Sequence, residues 1–383
     1  MPLLPRSLRL IAAGLLLAGA TSCAVDVTGA VTPVAGDYQK KLADYEQVHG
    51  PYEQAANAYW DAVADKRRLR NAKRRNHQPV ALDDYVLTQP PVYTGPPKPI
   101  DPNAPPPQPG ERPEIPVIAD FLKAAAEEWH FVPDRPRSEL EFKHAYGEAA
   151  LAAGLTREQI VGVYAFETGG TGTYDTQAGV TATRPRAISP ALGYNQLLTT
   201  NTVSLLAENG GDFIAALRHK ARMLTGEARH HLDSKIETLK RMVAFSRTIP
   251  HRWSEYDRIA KTTAQGIGIH AILLDIDIGP LLQVQKLATS VRFARVKGYL
   301  APLTPAELEL MNLTGDGNGI DMVTMPQAFR DQVPTANFFQ PNGYDRNPVA
   351  KRTKVVAGLI AEIAGHMTHN AQNAGAKELA SAF

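Results

Sequence analysis

The sequence predicts an all-α protein. Ten segments repeat apolar residues at helical spacing, and several carry their own start and stop signals. No run alternates polar with apolar residues long enough to build more than a minor hairpin. Hydrophobic residues make up 44% of the 383, enough for a sizeable core, and a net charge of +2 gives no reason to expect a nucleic-acid partner.

The first residues direct the chain out of the cytoplasm. Arg6 and Arg9 precede an apolar run over 10–20, which has the length of a signal-peptide core and is too short for a stable membrane span. Ala20-Thr21-Ser22-Cys23 then reads as a lipobox, with Ala20 where Leu is commonest, so that Cys23 becomes a lipidated N-terminus. Cys23 is the single cysteine, which suits lipidation better than a disulfide framework. An ordinary cleaved secretory signal and a retained membrane anchor are the alternatives. All three export the protein. The expected location is periplasmic, anchored in the outer membrane through Cys23.

Residues 24–78 form an N-terminal helical segment. Tyr38, Leu42, Tyr45, Tyr52, Ala56, Tyr59, Trp60 and Val63 recur near helical spacing, and Gly50-Pro51 predicts a break into two pieces or a hairpin. The run 66–75 (KRRLRNAKRR) is strongly basic; it reads either as a solvated helix end or as a surface for anionic lipid or the acidic cell wall. Residues 79–116 are proline-dense and lean toward polyproline II, so they read as a spacer that either lifts the following domain away from a membrane or wraps its surface.

Residues 117–383 form the main domain. Helices are predicted over 118–129, 138–153, 156–167, 202–208, 212–224, 228–248, 254–274, 280–296, 305–311 and 348–369. Gly154 suits a C-cap, and Thr156 with Gln159 forms a capping box for the next helix. That helix carries Ile160, Val161, Val163, Tyr164 and Phe166 on more than one face, so it is expected to be buried.

Glu167 ends this helix and is the leading catalytic candidate. Cleaving a glycosidic bond requires an acid that protonates the leaving oxygen, and a Glu serves at neutral pH only where apolar surroundings raise its pKa. A second carboxylate can stabilise the developing cation, for which Asp175 is the nearest downstream candidate. A substrate's own 2-acetamido group can replace it, and one Glu then suffices.

Glu167-Thr168-Gly169, followed by Ser189-Pro190-Ala191-Leu192-Gly193-Tyr194-Asn195-Gln196, resembles the lytic transglycosylases of the soluble type, which are related to goose-type lysozyme. The resemblance covers about thirty residues. It implies a lysozyme-like helical domain that cleaves peptidoglycan between N-acetylmuramic acid and N-acetylglucosamine. Glu167 would act as acid and then base, leaving a 1,6-anhydro end. It also implies that Ser189, Tyr194, Asn195 and Gln196 bind substrate. The sequence departs from the pattern at Thr168 (usually Ser), at Pro190 (usually Gly) and in a longer loop between Glu167 and Ser189. The family's later Ala-Tyr-Asn-Ala-Gly element has only an echo at 275–280, with Ile276 in place of its Tyr; either Tyr344 substitutes or the feature is lost.

Other signals are weaker. Glu362, His366 and His369 share one helix face without a further ligand, and Thr314-Gly315-Asp316-Gly317-Asn318-Gly319 reads as a Gly-rich turn with Thr where a calcium loop wants Asp. No metal and no cofactor is expected. The expected partners are glycan strands, the membrane through Cys23, and a cell-envelope assembly; a monomer is the default. A hydrolytic muramidase and a non-catalytic wall-binding scaffold are the competing readings.

Overall fold

The computed structural model describes residues 33–104, 114–181 and 183–383. The protein is mainly helical, and among the described residues β structure is confined to isolated bridges such as Gln177 with Leu192 and Pro334 with Val355. The described residues fall into two units, 33–51 with 93–104 and 52–92 with 114–383. These units do not follow the boundaries expected at 78 and 116. In the first, Tyr45 stacks on His49 at 4.6 Å and Tyr93 sets its ring edgewise to both.

Helix α1 (Pro33–Arg75) runs through Pro51 without the expected break.

The second unit explains the basic run. Arg70 is 1% exposed, its guanidinium lies 4.4 Å from the Tyr85 ring centre, and it donates to the carbonyls of Asp84 and Asn337. Arg67 donates to the carbonyls of Asn337 and Phe339, Lys73 pairs with Asp84, and Arg74 pairs with Asp321. Arg67, Arg70, Lys73 and Arg74 of the run are thus engaged within the unit, while Arg68 and Arg75 stay exposed. The engaged cations hold 79–92 and 335–339 in place, and Asn337 clasps the backbone N–H and C=O of Val86. The first part of the proline-dense segment thus wraps the main unit.

The remaining helices are α2 (Ile118–Trp129), α3 (Glu139–Ala152), α4 (Arg157–Thr168), α5 (Thr199–Arg222), α6 (Gly226–Thr248), α7 (Trp253–Thr262), α8 (Ala264–Ile269), α9 (Gly279–Val296), α10 (Pro305–Thr314), α11 (Asp316–Val323), α12 (Gln327–Arg330), α13 (Pro341–Asp345), α14 (Pro348–Thr353), α15 (Val356–Asn370) and α16 (Ala374–Ser381). Short 3-10 turns cover Leu82–Asp84, His270–Leu274 and Thr335–Phe338.

Local chemistry starts many of these helices. Thr156 and Gln159 exchange side-chain hydrogen bonds with each other's backbone at the start of α4, and Thr304 and Glu307 do the same at α10. Tertiary packing overrides the expected ends elsewhere. α5 continues through Gly210-Gly211 because a Cβ on Gly210 would lie 2.3 Å from Val243 on α6; the glycine lets two helices close rather than ending one. The segment expected as one helix over 254–274 divides at Thr263, whose hydroxyl accepts from Gly266 N and restarts the chain as α8. The segment over 348–369 divides at Lys354, which adopts φ 62°.

Two apolar cores result. One gathers Phe142, Tyr146, Ile160, Val163, Leu308 and Leu359 around α3, α4, α10 and α15. The other gathers Phe121, Leu206, Phe213, Leu239 and Met242 around α2, α5 and α6. α9 serves both, with Leu282 in the second core and Val284 and Leu287 in the first. No single helix among the described residues is long and apolar enough to cross a membrane.

Candidate active site

α4 carries Glu167 to an open cavity of about 910 Å³. α9, α10 and the start of α11 contribute Lys286, Asn312 and Asp316 to its lining, α5 and α7 contribute Glu208 and Tyr256, and the 169–198 loop contributes Gln196. The end of α4 is held by the last helices. Asn370 Nδ2 donates to Ala165 O at 3.0 Å, Asn373 Nδ2 to Gly169 O at 2.8 Å, and Ala376 N to Gly170 O at 3.1 Å.

Glu167 keeps part of its surface open to the cavity, while protein encloses the carboxyl on its other sides. Asn312 Nδ2 donates to its Oε1 at 2.9 Å. Behind it lies Glu309, fully buried, whose Oε2 faces no donor among the described residues. Glu309 and Glu167 interact side chain to side chain, and Glu309, raised by burial and by the charge of Glu167, is the member that holds the proton. The two carboxyls titrate as a pair. Burial raises Glu167 to about 7, against the opposing hydrogen bonds from Glu309 and Asn312 and the charge of Lys286. Burial, reinforced by the charge of Glu167, raises Glu309 well above the usual carboxylate range, so Glu309 is the neutral member at pH 7.

The long loop between Glu167 and Ser189 is tied down along its length. Tyr164 donates to Gly172 O at 2.7 Å, Gln177 Nε2 to Pro116 O at 2.7 Å, and Ile188 N to Ala178 O at 2.9 Å. Behind Pro190, the buried His270 donates from Nε2 to the Pro190 carbonyl at 3.0 Å, which fixes its tautomer and lets Nδ1 accept from Thr202 Oγ1. Burial lowers the pKa of His270 to about 3, so it stays neutral.

The structure brings together only some of the residues singled out in the sequence. Glu167, Asn195 and Gln196 line the cavity. Asn195 does so with its polar atoms already engaged: Nδ2 donates to Gln283 O and Oδ1 accepts from Tyr146. Gln196 adopts φ 44°, and its Nε2 donates to the carbonyls of Thr176 and Gly193, which leaves Oε1 as its free polar atom. Ser189 does not line the cavity; its hydroxyl accepts from Ala191 N and closes a local turn.

Tyr194 is core rather than binding surface. It is fully buried against Phe142, Tyr146 and Tyr164, and its hydroxyl donates to Glu139. Tyr344 is buried against Trp60 and Phe339 and likewise stands outside the cavity. Asp175 pairs with Arg135 at 2.7 Å and is no second carboxylate for the site. The segment 275–280 is no active-site element either: Asp275 and Asp277 are partners of the buried Lys235, at 2.9 and 2.5 Å. Glu362 pairs with Arg352 and lies 3.3 Å from His366. Cys23 lies outside the described residues.

Glu309 and Asn312 were missed. The available signal was a polar pair three residues apart among apolar neighbours (Leu308, Leu310, Met311) on a helix opened by a capping box. That spacing places both on one face, but it does not say that the face meets α4. No known protein family, curated protein or solved structure matches the chain.

Proposed function

We propose that the protein is a peptidoglycan lytic transglycosylase with Glu167 as its single acid and base. One observation carries this reading: a carboxyl with a raised pKa opens into a ligand-sized cavity, and the neighbouring buried carboxyl of Glu309 holds a proton beside it. Hydrogen-bonded carboxyls lie within about 3 Å of each other, too close for the facing pair of a two-carboxylate glycosidase, which needs about 5–5.5 Å or 6.5–9.5 Å. Glu309 therefore does not serve as a facing second carboxylate, and this reading takes the nucleophile from the substrate. Glu167 gives its proton to the leaving glycosidic oxygen as the C1–O4 bond breaks. The resulting carboxylate takes the proton of the C6 hydroxyl, and O6 closes on C1.

A hydrolytic reading is favoured by a different residue. Asp316 lines the same cavity, accepts from Ser290 at 2.6 Å, and is a second carboxylate that could serve a water. Mass analysis of fragments released from purified peptidoglycan by the full-length chain decides between the two. The transglycosylase reading expects fragments one water lighter than hydrolysis products. It further expects their release to fall about 10²–10⁴-fold in Glu167→Gln and to persist in Asp316→Asn. Hydrated products that disappear in Asp316→Asn overturn it in favour of the muramidase, and no release by the wild type favours a wall-binding scaffold.

A further inference from the structure

Part of the cavity wall has no role in the chemistry of Glu167. Arg252 caps the start of α7 and Trp253 is its first residue; both line the cavity. Trp253 is 55% exposed although it is among the largest apolar side chains of the protein. The other basic side chains lining the cavity have neighbours. Lys286 Nζ stands 3.9 Å from Asp316, and His251 Nδ1 is 3.0 Å from the Tyr256 hydroxyl and 3.8 Å from Glu208. Arg252 is exposed, and among the described residues its guanidinium has no ion pair or hydrogen bond. An open indole beside an unengaged guanidinium, both facing a cavity, matches a ligand with an apolar ring face and an adjacent carboxylate.

We propose that Arg252 and Trp253 form a subsite for the muramyl residue, with a sugar face stacked on the indole and the carboxylate of the C3 substituent paired with the guanidinium. This rests on the glycan-cleaving reading above and adds the feature of the strand that is recognised. A sugar ring presents a face of C–H groups that packs on an aromatic plane. Its hydroxyls and acetamido group give a guanidinium no opposite charge, whereas a carboxylate takes the two-pronged hydrogen bond that an Arg fork offers. That carboxylate is either on the lactyl ether itself or on the peptide attached to it. The subsite therefore discriminates against neutral strands made of N-acetylglucosamine alone.

The test uses the full-length Glu167→Gln protein, so that no probe is consumed. The probes are chitotetraose, a peptide-free tetrasaccharide alternating N-acetylglucosamine with N-acetylmuramic acid, and the same tetrasaccharide carrying tripeptides. Binding is measured by calorimetry and by tryptophan fluorescence. At least one charged probe is expected to bind about fivefold or more tightly than chitotetraose at low salt, with the advantage shrinking as salt is added. Whether the peptide-free or only the peptide-bearing probe gains locates the carboxylate. Arg252→Ala is expected to erase the preference and Arg252→Lys to retain part of it, while Trp253→Ala weakens all probes and removes the fluorescence change.

Equal binding of all three probes overturns the proposal, as does a loss in Arg252→Ala that is the same for chitotetraose as for the charged probes, or no binding of any probe. Release of anhydro fragments by the wild type together with equal probe binding overturns this subsite and leaves the cleavage reading standing. The expected preference together with no release overturns the cleavage reading and leaves the subsite standing.

Discussion

In the proposed mechanism Glu167 works as an acid only while it holds a proton, so its pKa would set the alkaline limit of activity. Burial raises it to about 7. The initial rate is therefore expected to fall as pH rises through about 7, approaching tenfold per pH unit beyond it, in a pH-rate profile of peptidoglycan solubilisation. Glu309 affects stability in the same direction. Its folded pKa is raised above that of the unfolded chain, so the stability linked to its proton is fully present below about pH 4.3 and is lost as pH rises toward the folded value. Glu309→Gln keeps a neutral donor behind Glu167 and removes this dependence. Its stability relative to wild type is expected to rise as pH increases above the unfolded carboxyl's pKa of about 4.3, read from urea midpoints. An advantage that stays constant with pH would mean that Glu309 is ionised and has no proton to donate to Glu167.

At the scale of elements, the site depends on how closely α4 and α10 approach. Gly162 of α4 faces Pro305 at the start of α10: a Cβ there would lie 2.7 Å from the Pro305 Cβ and 3.3 Å from the Met367 sulfur. Gly162→Ala gains about 1 kcal/mol of helix propensity, yet overpacking costs about 1–3 kcal/mol, so the net expectation is a lower melting temperature. Because Asn312 sits on the displaced helix, fragment release is expected to fall as well. Gly365→Ala is the control. Gly365 lies on α15 with open space where its Cβ would be, and that substitution is expected to be neutral or mildly stabilising with activity unchanged. An equal response in the two variants would remove the α4–α10 approach from the explanation. The unbroken α5 obeys the same logic, since at Gly210 a residue that reads as a stop signal serves a close contact with α6.

At the scale of the molecule, Arg70 ties the second unit together across distant stretches of sequence. It bonds the carbonyls of Asp84 and Asn337 and stacks on Tyr85, with almost no exposure to solvent. Arg70→Ala removes the donor to the Asp84 carbonyl and leaves a hole beneath Tyr85, while Arg67 still bonds the Asn337 carbonyl; the expected cost is about 3 kcal/mol. Segment 79–92 would then open to limited proteolysis well before the rest of the unit melts. Protection of this segment unchanged in the variant would show that the remaining contacts, Asn337 with Val86 and Lys73 with Asp84, suffice to hold it.

The sequence by itself determined the helical class, most helix positions, the capping of α4, and the place of Glu167 at the end of a buried helix. Helical periodicity and caps are local properties, set within about one or two turns, and so are readable along the chain. Only the tertiary structure decided what surrounds Glu167. Glu309 and Asn312 come from α10, more than a hundred residues downstream, while Tyr194 and Tyr344 went into the core because an aromatic ring at a motif position packs as readily as it binds. The basic run turned inward for the same reason. Whether Arg67, Arg70 and Arg74 meet water, lipid or a backbone carbonyl depends on which distant segment folds against them, and no local pattern encodes that.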